Sequence, residues 1–478
     1  MRFDDAILIL QAEVREHPGA DDARLLLARV LSWRRRYPES LEQYRALLER
    51  KPKDATIRAG YARVLAWSGR HEEAIREFQT AIAADSTNLE TRIGYARVLA
   101  WSGDLAGASV EYDRILAKNP RSGDAWLGLA SVSRWRGAPT AADRFAIEAQ
   151  QYGADAEGLT EEQHAIEAAL ASSLGGGWSA SKERQYVEGP DFILETEGPY
   201  VAGRATASRS VGISGRIAWL SLLETPASGG VPNYDLTSVD TRVDLSLARG
   251  YPWGATVGAQ YMTFEQDGPA TYLLGEDDDF FGFGGRVWRH TGRFTPRASI
   301  RRDYIALRDT VGGLPTFVPG HVDQYEAGSA WQWSGRGSLD ALVSRGVYSD
   351  DNRRWTAAGS ASYRVKTNVP NVTLGGSLQF RDWDFQSPNY FTPLSSVRGA
   401  ASALVSGYIE RPAVDYGIRY EFSGLGSSNF EDIWAHAWSG WFNVTAADRI
   451  PVGVEAAYSV DNNSYETWFL GLSATARW

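Results

Sequence analysis

The chain has 478 residues, no cysteine, a formal net charge of −10 and a mean hydropathy of −0.33. That length allows two or more domains, and the lack of cysteine excludes a disulfide framework, a thiolate metal site and a cysteine nucleophile. The acidic balance argues against a nucleic-acid partner, and no run approaches the roughly 18 apolar residues a membrane-spanning helix needs.

A membrane β-barrel escapes that last exclusion, because alternating lipid-facing and lumen-facing residues make it polar on average. The 18 tryptophans, 22 tyrosines and 48 glycines suit aromatic girdles and small lumen residues. The chain opens without a signal peptide: Met1 to Leu10 carries acidic Asp4 and Asp5 and no cleavage site. An outer-membrane protein would have lost that signal or carry it upstream.

The first third is a helical repeat. Trp33, Trp67, Trp101 and Trp135 stand 34 residues apart, as do Ala28, Ala62, Ala96 and Ala130. The same interval relates Ala6, Ser40, Ala74, Ala108 and Ala142, then Tyr44, Phe78 and Tyr112. Pro18, Pro52 and Pro120 close repeats at one phase, with Ser86 in the equivalent place, and "YARVLAWSG" occurs twice. Small residues where two helices touch, an aromatic four residues later and a terminal proline, at period 34, are the tetratricopeptide (TPR) pattern. Residues 1–158 are therefore expected to form TPR repeats. The segment "FDDAILILQAEVREHP" reads as the second helix of a repeat whose first helix is missing, either a degenerate cap or a cut through a longer array. The repeated Trp33, Trp67, Trp101 and Trp135 are expected to pack between helices.

Residues 159–172 read as a join, and from 173 the period changes from helical to alternating. "VDYGIRYEFSG" sets Val414, Tyr416, Ile418, Tyr420 and Phe422 against Asp415, Gly417, Arg419, Glu421 and Ser423. "VDTRVDLSL" and "PVGVEAAYSV" divide in the same way. About sixteen strands are counted to residue 478. Short connectors such as "RGYP", "HTGR", "SGRG" and "ERPA" alternate with long ones such as "ETPASGGVPNYDLTS", "EQDGPATYLLGEDDD", "RDTVGGLPTFVPGHVD" and "FQSPNYFTPLSS". Short turns on one side and long loops on the other describe an outer-membrane barrel, with its short turns in the periplasm. An even strand count puts the TPR domain on that same side. The expected fold is an α-helical TPR solenoid followed by an antiparallel transmembrane β-barrel of about 16 strands.

The final stretch, "ETWFLGLSATARW", puts Trp468, Leu470, Leu472, Ala474, Ala476 and Trp478 on one face. Aromatics at both ends of an apolar strand fit a lipid-facing strand with its rings at the two interfaces. Pairing it with the first strand would remove both sheet edges.

The polar strand faces give the lumen candidates: Asp240, Arg242, Asp244, Gln260, Gln379, Arg381, Asp415, Arg419, Glu421, Glu455 and Arg477. Mixed signs on neighbouring strands are expected to form neutralising ladders. After residue 170 there are 33 acids and 26 bases, a balance of −7, which would favour neutral or partly cationic polymers over polyuronates. The run "GEDDDFF" (Gly275 to Phe281) could bind Ca²⁺ but reads more readily as a solvated loop. His436, between Trp434 and Trp438, reads as an interfacial or packed residue. No HExxH, GxSxG or phosphate-binding loop occurs, so neither enzyme activity nor any metal or cofactor is expected.

A TPR solenoid joined to a barrel of about sixteen strands resembles the outer-membrane exporters of bacterial exopolysaccharides. These are the outer subunits of the cellulose, poly-N-acetylglucosamine and Pel systems, whose polymers build biofilms. It also resembles the YaiO-type barrel family. The final aromatic, with Leu470, Leu472 and Trp478, resembles the signal by which barrels are handed to the barrel-assembly machinery. The resemblance implies a conduit for a polysaccharide, with periplasmic TPRs recruiting synthesis or modification proteins. The barrel would sit in a Gram-negative outer membrane, among lipid and lipopolysaccharide. The alternative is a barrel-anchored TPR scaffold or surface-interaction protein without transport.

Overall fold

A computed structural model describes residues 3–185, 192–208, 211–226, 228–247, 253–268, 270, 273–274, 278–311, 314–367, 369–387, 393–409, 413–428, 431–446, 450–462 and 466–477. The chain divides into two compact units, the first Met1–Ile166 and the second Glu167–Trp333 with Gly337–Trp478. No helix among the described residues is long and apolar enough to cross a membrane.

The first unit is all helix: α1 Phe3–Glu16, α2 Asp21–Trp33, α3 Tyr37–Arg50, α4 Ala55–Trp67, α5 His71–Ala84, α6 Leu89–Trp101, α7 Leu105–Lys118, α8 Gly123–Trp135, α9 Pro139–Gln151 and α10 Ala156–Leu170. The 34-residue period reappears as repeated contacts. Ala28, Ala62, Ala96 and Ala130 have no exposed surface, because each stands where two helices meet. The aromatic of each second helix lies on a glycine of the next first helix. A Cβ on Gly60, Gly94 or Gly128 would come within 2.7, 2.9 or 2.1 Å of the rings of Tyr44, Phe78 and Tyr112.

Polar contacts repeat as well. Arg24 donates to Gln43, Arg58 pairs with Glu77 and Arg92 with Glu111, at 2.9, 2.6 and 2.5 Å. In the last repeat Trp126 stacks on Phe145 in the equivalent place, centroids 5.6 Å apart. The same four residues each donate to the carbonyl that precedes their helix, of Pro18, Pro52, Ser86 and Pro120. The turn inside each repeat needs one left-handed residue, supplied by Gly69, Gly103 and Gly137 (φ 79°, 87° and 76°) and by Arg35 (φ 59°) in the first.

Most of the join, residues 159–172, falls in α10, which buries Leu159 and Ile166. Its Glu162 pairs with Arg134 at 2.7 Å. Helix α1 packs as a second helix against α2 through Ile7, Leu27, Val30 and Leu31.

The second unit is a closed antiparallel barrel of sixteen long strands: β1 Ser173–Gln185, β2 Phe192–Ser208, β3 Val211–Pro226, β4 Tyr234–Leu247, β5 Trp253–Gln266, β6 Asp279–Arg289, β7 Phe294–Val311, β8 Leu314–Gln332, β9 Gly337–Tyr348, β10 Arg353–Lys366, β11 Asn371–Trp383, β12 Ser395–Ile409, β13 Val414–Ser427, β14 Ile433–Ala446, β15 Ile450–Asp461 and β16 Glu466–Arg477. Each pairs with its neighbours in sequence, and β1 closes on β16 from Ser173↔Arg477 to Glu183↔Thr467. The final strand is thus held along its length by a partner, as the removal of sheet edges requires.

Seven connections of two to five residues lie at one end, where β1 begins and β16 ends; those at the other end run from two to twelve. The stretch "RDTVGGLPTFVPGHVD" is a correction. It is no loop but the far part of a hairpin, in which β7 and β8 pair from Phe294↔Trp331 to Val311↔Leu314. A two-residue strand, Leu273–Leu274, runs parallel to Thr316–Phe317 of that hairpin.

Candidate functional site: the barrel lumen

The two strand faces differ in what surrounds their side chains. On one face, side chains two strands apart meet and bury charge, as only the concave side of a closed sheet allows. Arg297 of β7 reaches across β8 to Asp340 of β9 with two bonds of 2.6 and 2.8 Å. The opposite face carries the exposed apolar residues. Val243, Val257, Val287, Leu339, Leu374, Ile418, Val452 and Leu472 form its middle. Trp253, Phe294, Trp331 and Phe442 ring the short-turn end, and Tyr261, Trp355, Phe380, Phe422, Trp434 and Trp468 the other. An aliphatic band between two aromatic girdles on a closed sheet is a lipid-facing surface. Leu470 and Leu472 belong to this band. Trp478 lies outside the described residues.

The register puts ten of the sequence candidates on the inner face. Asp240 and Arg242 interact at 3.2 Å, and Gln260 of β5 donates to Asp240 at 2.8 Å. Asp244 lies over Gly258, where a Cβ would meet its carboxylate. Glu421 pairs with Arg398 of β12 at 2.8 Å. Asp415 accepts from Trp441 Nε1 at 2.7 Å. Arg381 stands opposite Thr356, Gln379 opposite Arg398, Arg419 opposite Leu404 and Glu455 opposite Gly471. For Arg477 the backbone pairs with Ser173, and its side chain lies outside the described residues. These residues line a wall and do not converge on one centre. Sequence reasoning passed over Arg297, Asp340 and Glu326, because the partners are two strands apart and no local pattern marks them.

Two apolar clusters lie inside the barrel at the long-loop end. Leu222, Tyr234, Leu236, Met262, Phe264 and Phe280 form the first. Val322, Tyr348 and Trp383 form the second. The β7–β8 hairpin, past its pairing with β6 at Arg301, packs against both. Tyr304 stacks on Phe264 with centroids 5.2 Å apart, and the next residue, Ile305, joins the second cluster. Adjacent strand residues point to opposite faces, so both faces of the hairpin are covered and it sits within the mouth. Between these groups two rows of the inner wall carry only small side chains. Ser360, Ser377 and Ala400 form one row across β10 to β12, and Gly177, Ser473 and Gly453 another across β1, β16 and β15.

His436 is on the lipid face, 2.7 Å from the Tyr420 hydroxyl and stacked near Trp438. In the run "GEDDDFF", residues 275–277 lie outside the described residues; Asp279 accepts from Tyr261 at 2.8 Å. Among the described residues no three His, Cys, Asp or Glu side chains are grouped as metal ligands.

The tryptophan expectation is a further correction. Trp33, Trp67, Trp101 and Trp135 end their helices 56, 36, 40 and 42 % exposed. Trp33 meets Phe3 of α1 edge-on at 6.2 Å, while the fully buried contacts between helices are filled by Ala28, Ala62, Ala96 and Ala130.

Models of the tetratricopeptide repeat family match residues 34–88 and 65–132. Comparison with curated proteins finds no match. Among solved structures, the chain is similar to a bacterial polysaccharide outer membrane secretin at 11% identity, covering 65% of this chain and 99% of that one, with a TM-score of 0.46. It is also similar to a tetratricopeptide repeat protein from Parabacteroides merdae (13% identity, 34% and 64% covered, TM-score 0.33). A third likeness is to a thermophilic TPR protein of Thermus thermophilus (18%, 34% and 91%, 0.31). The chain thus carries tetratricopeptide repeats in its first unit and a closed antiparallel barrel of sixteen strands in its second.

Proposed function

We propose that the barrel is a gated outer-membrane channel for export of an exopolysaccharide, with the TPR unit on the periplasmic side recruiting synthesis or modification proteins. The observation that carries this reading is the pair of small-residue rows that cross the inner wall. A sixteen-stranded barrel encloses an aqueous channel unless something fills it. Here two cross-strand rows of the interior carry small side chains in register, and Ser360 and Ser377 remain exposed. Some lumen charges are paired, Asp240 with Arg242, Glu421 with Arg398 and Arg297 with Asp340, while Arg381, Arg419 and Glu455 stand opposite uncharged residues and offer weak sites to a passing polymer. The hairpin between the two apolar clusters is the gate. The strand count supports the orientation, since both ends of the barrel sequence lie at the short-turn end. The reading gives the chain no catalytic step.

A second reading is favoured by that same hairpin: a barrel sealed at its mouth would serve as the anchor of a TPR scaffold. Flux separates the two. Liposomes containing the full chain are loaded with oligosaccharides of graded length, and release is followed with the hairpin intact and with residues 304–321 replaced by a short turn. Release from the trimmed protein supports a gated conduit, and retention in both supports the anchor.

A further inference from the structure

Four tryptophans at one phase of the repeat are left half-exposed on the helical unit, where the alanines at another phase are wholly buried. They are not alone. Arg29, Arg63 and Arg97 precede Trp33, Trp67 and Trp101 by four residues, which places each pair on one helix face. The first helices of consecutive repeats pack side by side, at the roughly 8–10 Å usual for packed helices. The rungs therefore form a ladder with about that spacing. The ladder lines two clefts, one of about 290 Å³ from Trp33 to Trp67 and one of about 720 Å³ from Trp67 to Trp135.

The guanidinium groups are positioned from below. Arg29 and Arg97 lie beside the hydroxyls of the buried Tyr44 and Tyr112. Where the repeat has Phe78, Arg63 bonds exposed Glu90 at 2.7 Å. An arginine with five donors keeps most of them for a ligand. The fourth rung differs: Ser131 replaces the arginine, Asp124, Asp155, Glu161 and Glu162 line the cleft beside it, and Arg134 there is tied to Glu162, so the acid-binding part of the groove is confined to the first three rungs.

We infer that this groove binds an extended acidic glycan, with sugar rings stacked on the tryptophans and carboxylates held by the arginines of the first three rungs. Identical rungs suit a ligand that repeats its own chemistry. A flat indole accepts the C–H face of a pyranose ring, and a guanidinium takes a carboxylate through two parallel bonds. An extended peptide would bring backbone N–H and C=O groups that need partners. The carboxamide lining the groove, that of Asn88, is already committed as a helix cap. The inference rests on the export reading for the source of the polymer, and it narrows the polymer to an acidic one against the −7 balance of the barrel sequence.

The test is calorimetric titration of the full chain in detergent with hexagalacturonate, cellohexaose and hexaglutamate. Hexagalacturonate is expected to bind, weakening with salt, and the other two to bind roughly tenfold less tightly or not at all. Trp67→Ala with Trp101→Ala is expected to lower the affinity by roughly tenfold or more, whereas Trp→Tyr at both keeps a stacking face and restores much of it. Arg63→Gln with Arg97→Gln should remove the salt dependence. The side chains are at the surface, so unchanged helical melting separates lost binding from lost fold. Equal binding of hexaglutamate, equal or tighter binding of cellohexaose, or hexagalacturonate binding indifferent to the tryptophans overturns the inference, as does no binding at all. A wild-type chain that conducts but does not bind leaves export standing without the groove; one that binds but never conducts leaves the groove and overturns export.

Discussion

Tyr112 shows how one residue ties the repeat to a measurable property. It is fully buried on Gly128, and burial pushes its hydroxyl up to about 12. The unfolded chain ionises tyrosine near 10. The stability Tyr112 confers is therefore complete below about pH 10 and is lost as pH rises toward 12, on the order of 2 kcal/mol. Helical melting followed at 222 nm should fall over that window, and Tyr112→Phe, the residue type the repeat already uses at Phe78, should flatten the fall. An unchanged alkaline profile in the variant would contradict this. Two neighbours extend the argument. Gly128→Ala places a Cβ 2.1 Å from the same ring and should cost about 1–3 kcal/mol by overpacking. Arg35 holds a left-handed turn that glycine holds in three other repeats, so Arg35→Gly should raise the melting temperature by relieving about 1 kcal/mol of strain.

At the scale of elements, legibility followed the reach of the pattern. The helices and most strands could be read because their periods are local: 34 residues for the repeat and two for the strands. Leu470, Leu472 and Trp468 could be assigned to one face before any partner was known. Hairpin β7–β8 was misread as a loop because Gly312, Gly313, Pro315 and Pro319 look like breakers. Yet the pairing runs through Ala306↔Pro319 and Thr310↔Pro315. The prolines are tolerated because the hairpin leaves the barrel wall there and has no third strand along most of its length. The gating proposed for it has a direct check. Tyr304→Ala removes the ring between Phe264 and Phe280, and should raise the frequency of channel opening in planar bilayers while leaving heat-modifiable migration of the barrel unchanged. Opening no more frequent than in the parent chain would assign the hairpin a purely structural part. The groove tryptophans were also misplaced, for the opposite reason. Periodicity reports that a position repeats, but an apolar residue that repeats can serve the core or a ligand, and only exposure separates them.

At the scale of the whole molecule, a repeat that presents one surface many times is combined with a barrel whose inner face carries rows of small residues. Both suit a ligand longer than either site. The lumen charges illustrate what sequence could not give: Asp240 and Arg242 are two residues apart and were visible, whereas Arg297 and Asp340 are separated by a whole strand and needed the register. The most direct measurement is single-channel conductance of the purified full chain in a planar bilayer, before and after excision of residues 304–321, with oligosaccharides added to the long-loop side. The account expects a small or flickering conductance that becomes large and steady on excision and is blocked by added glycan. A bilayer that stays silent with the hairpin removed, while the barrel is folded and inserted, would contradict the channel and leave the anchored scaffold in its place.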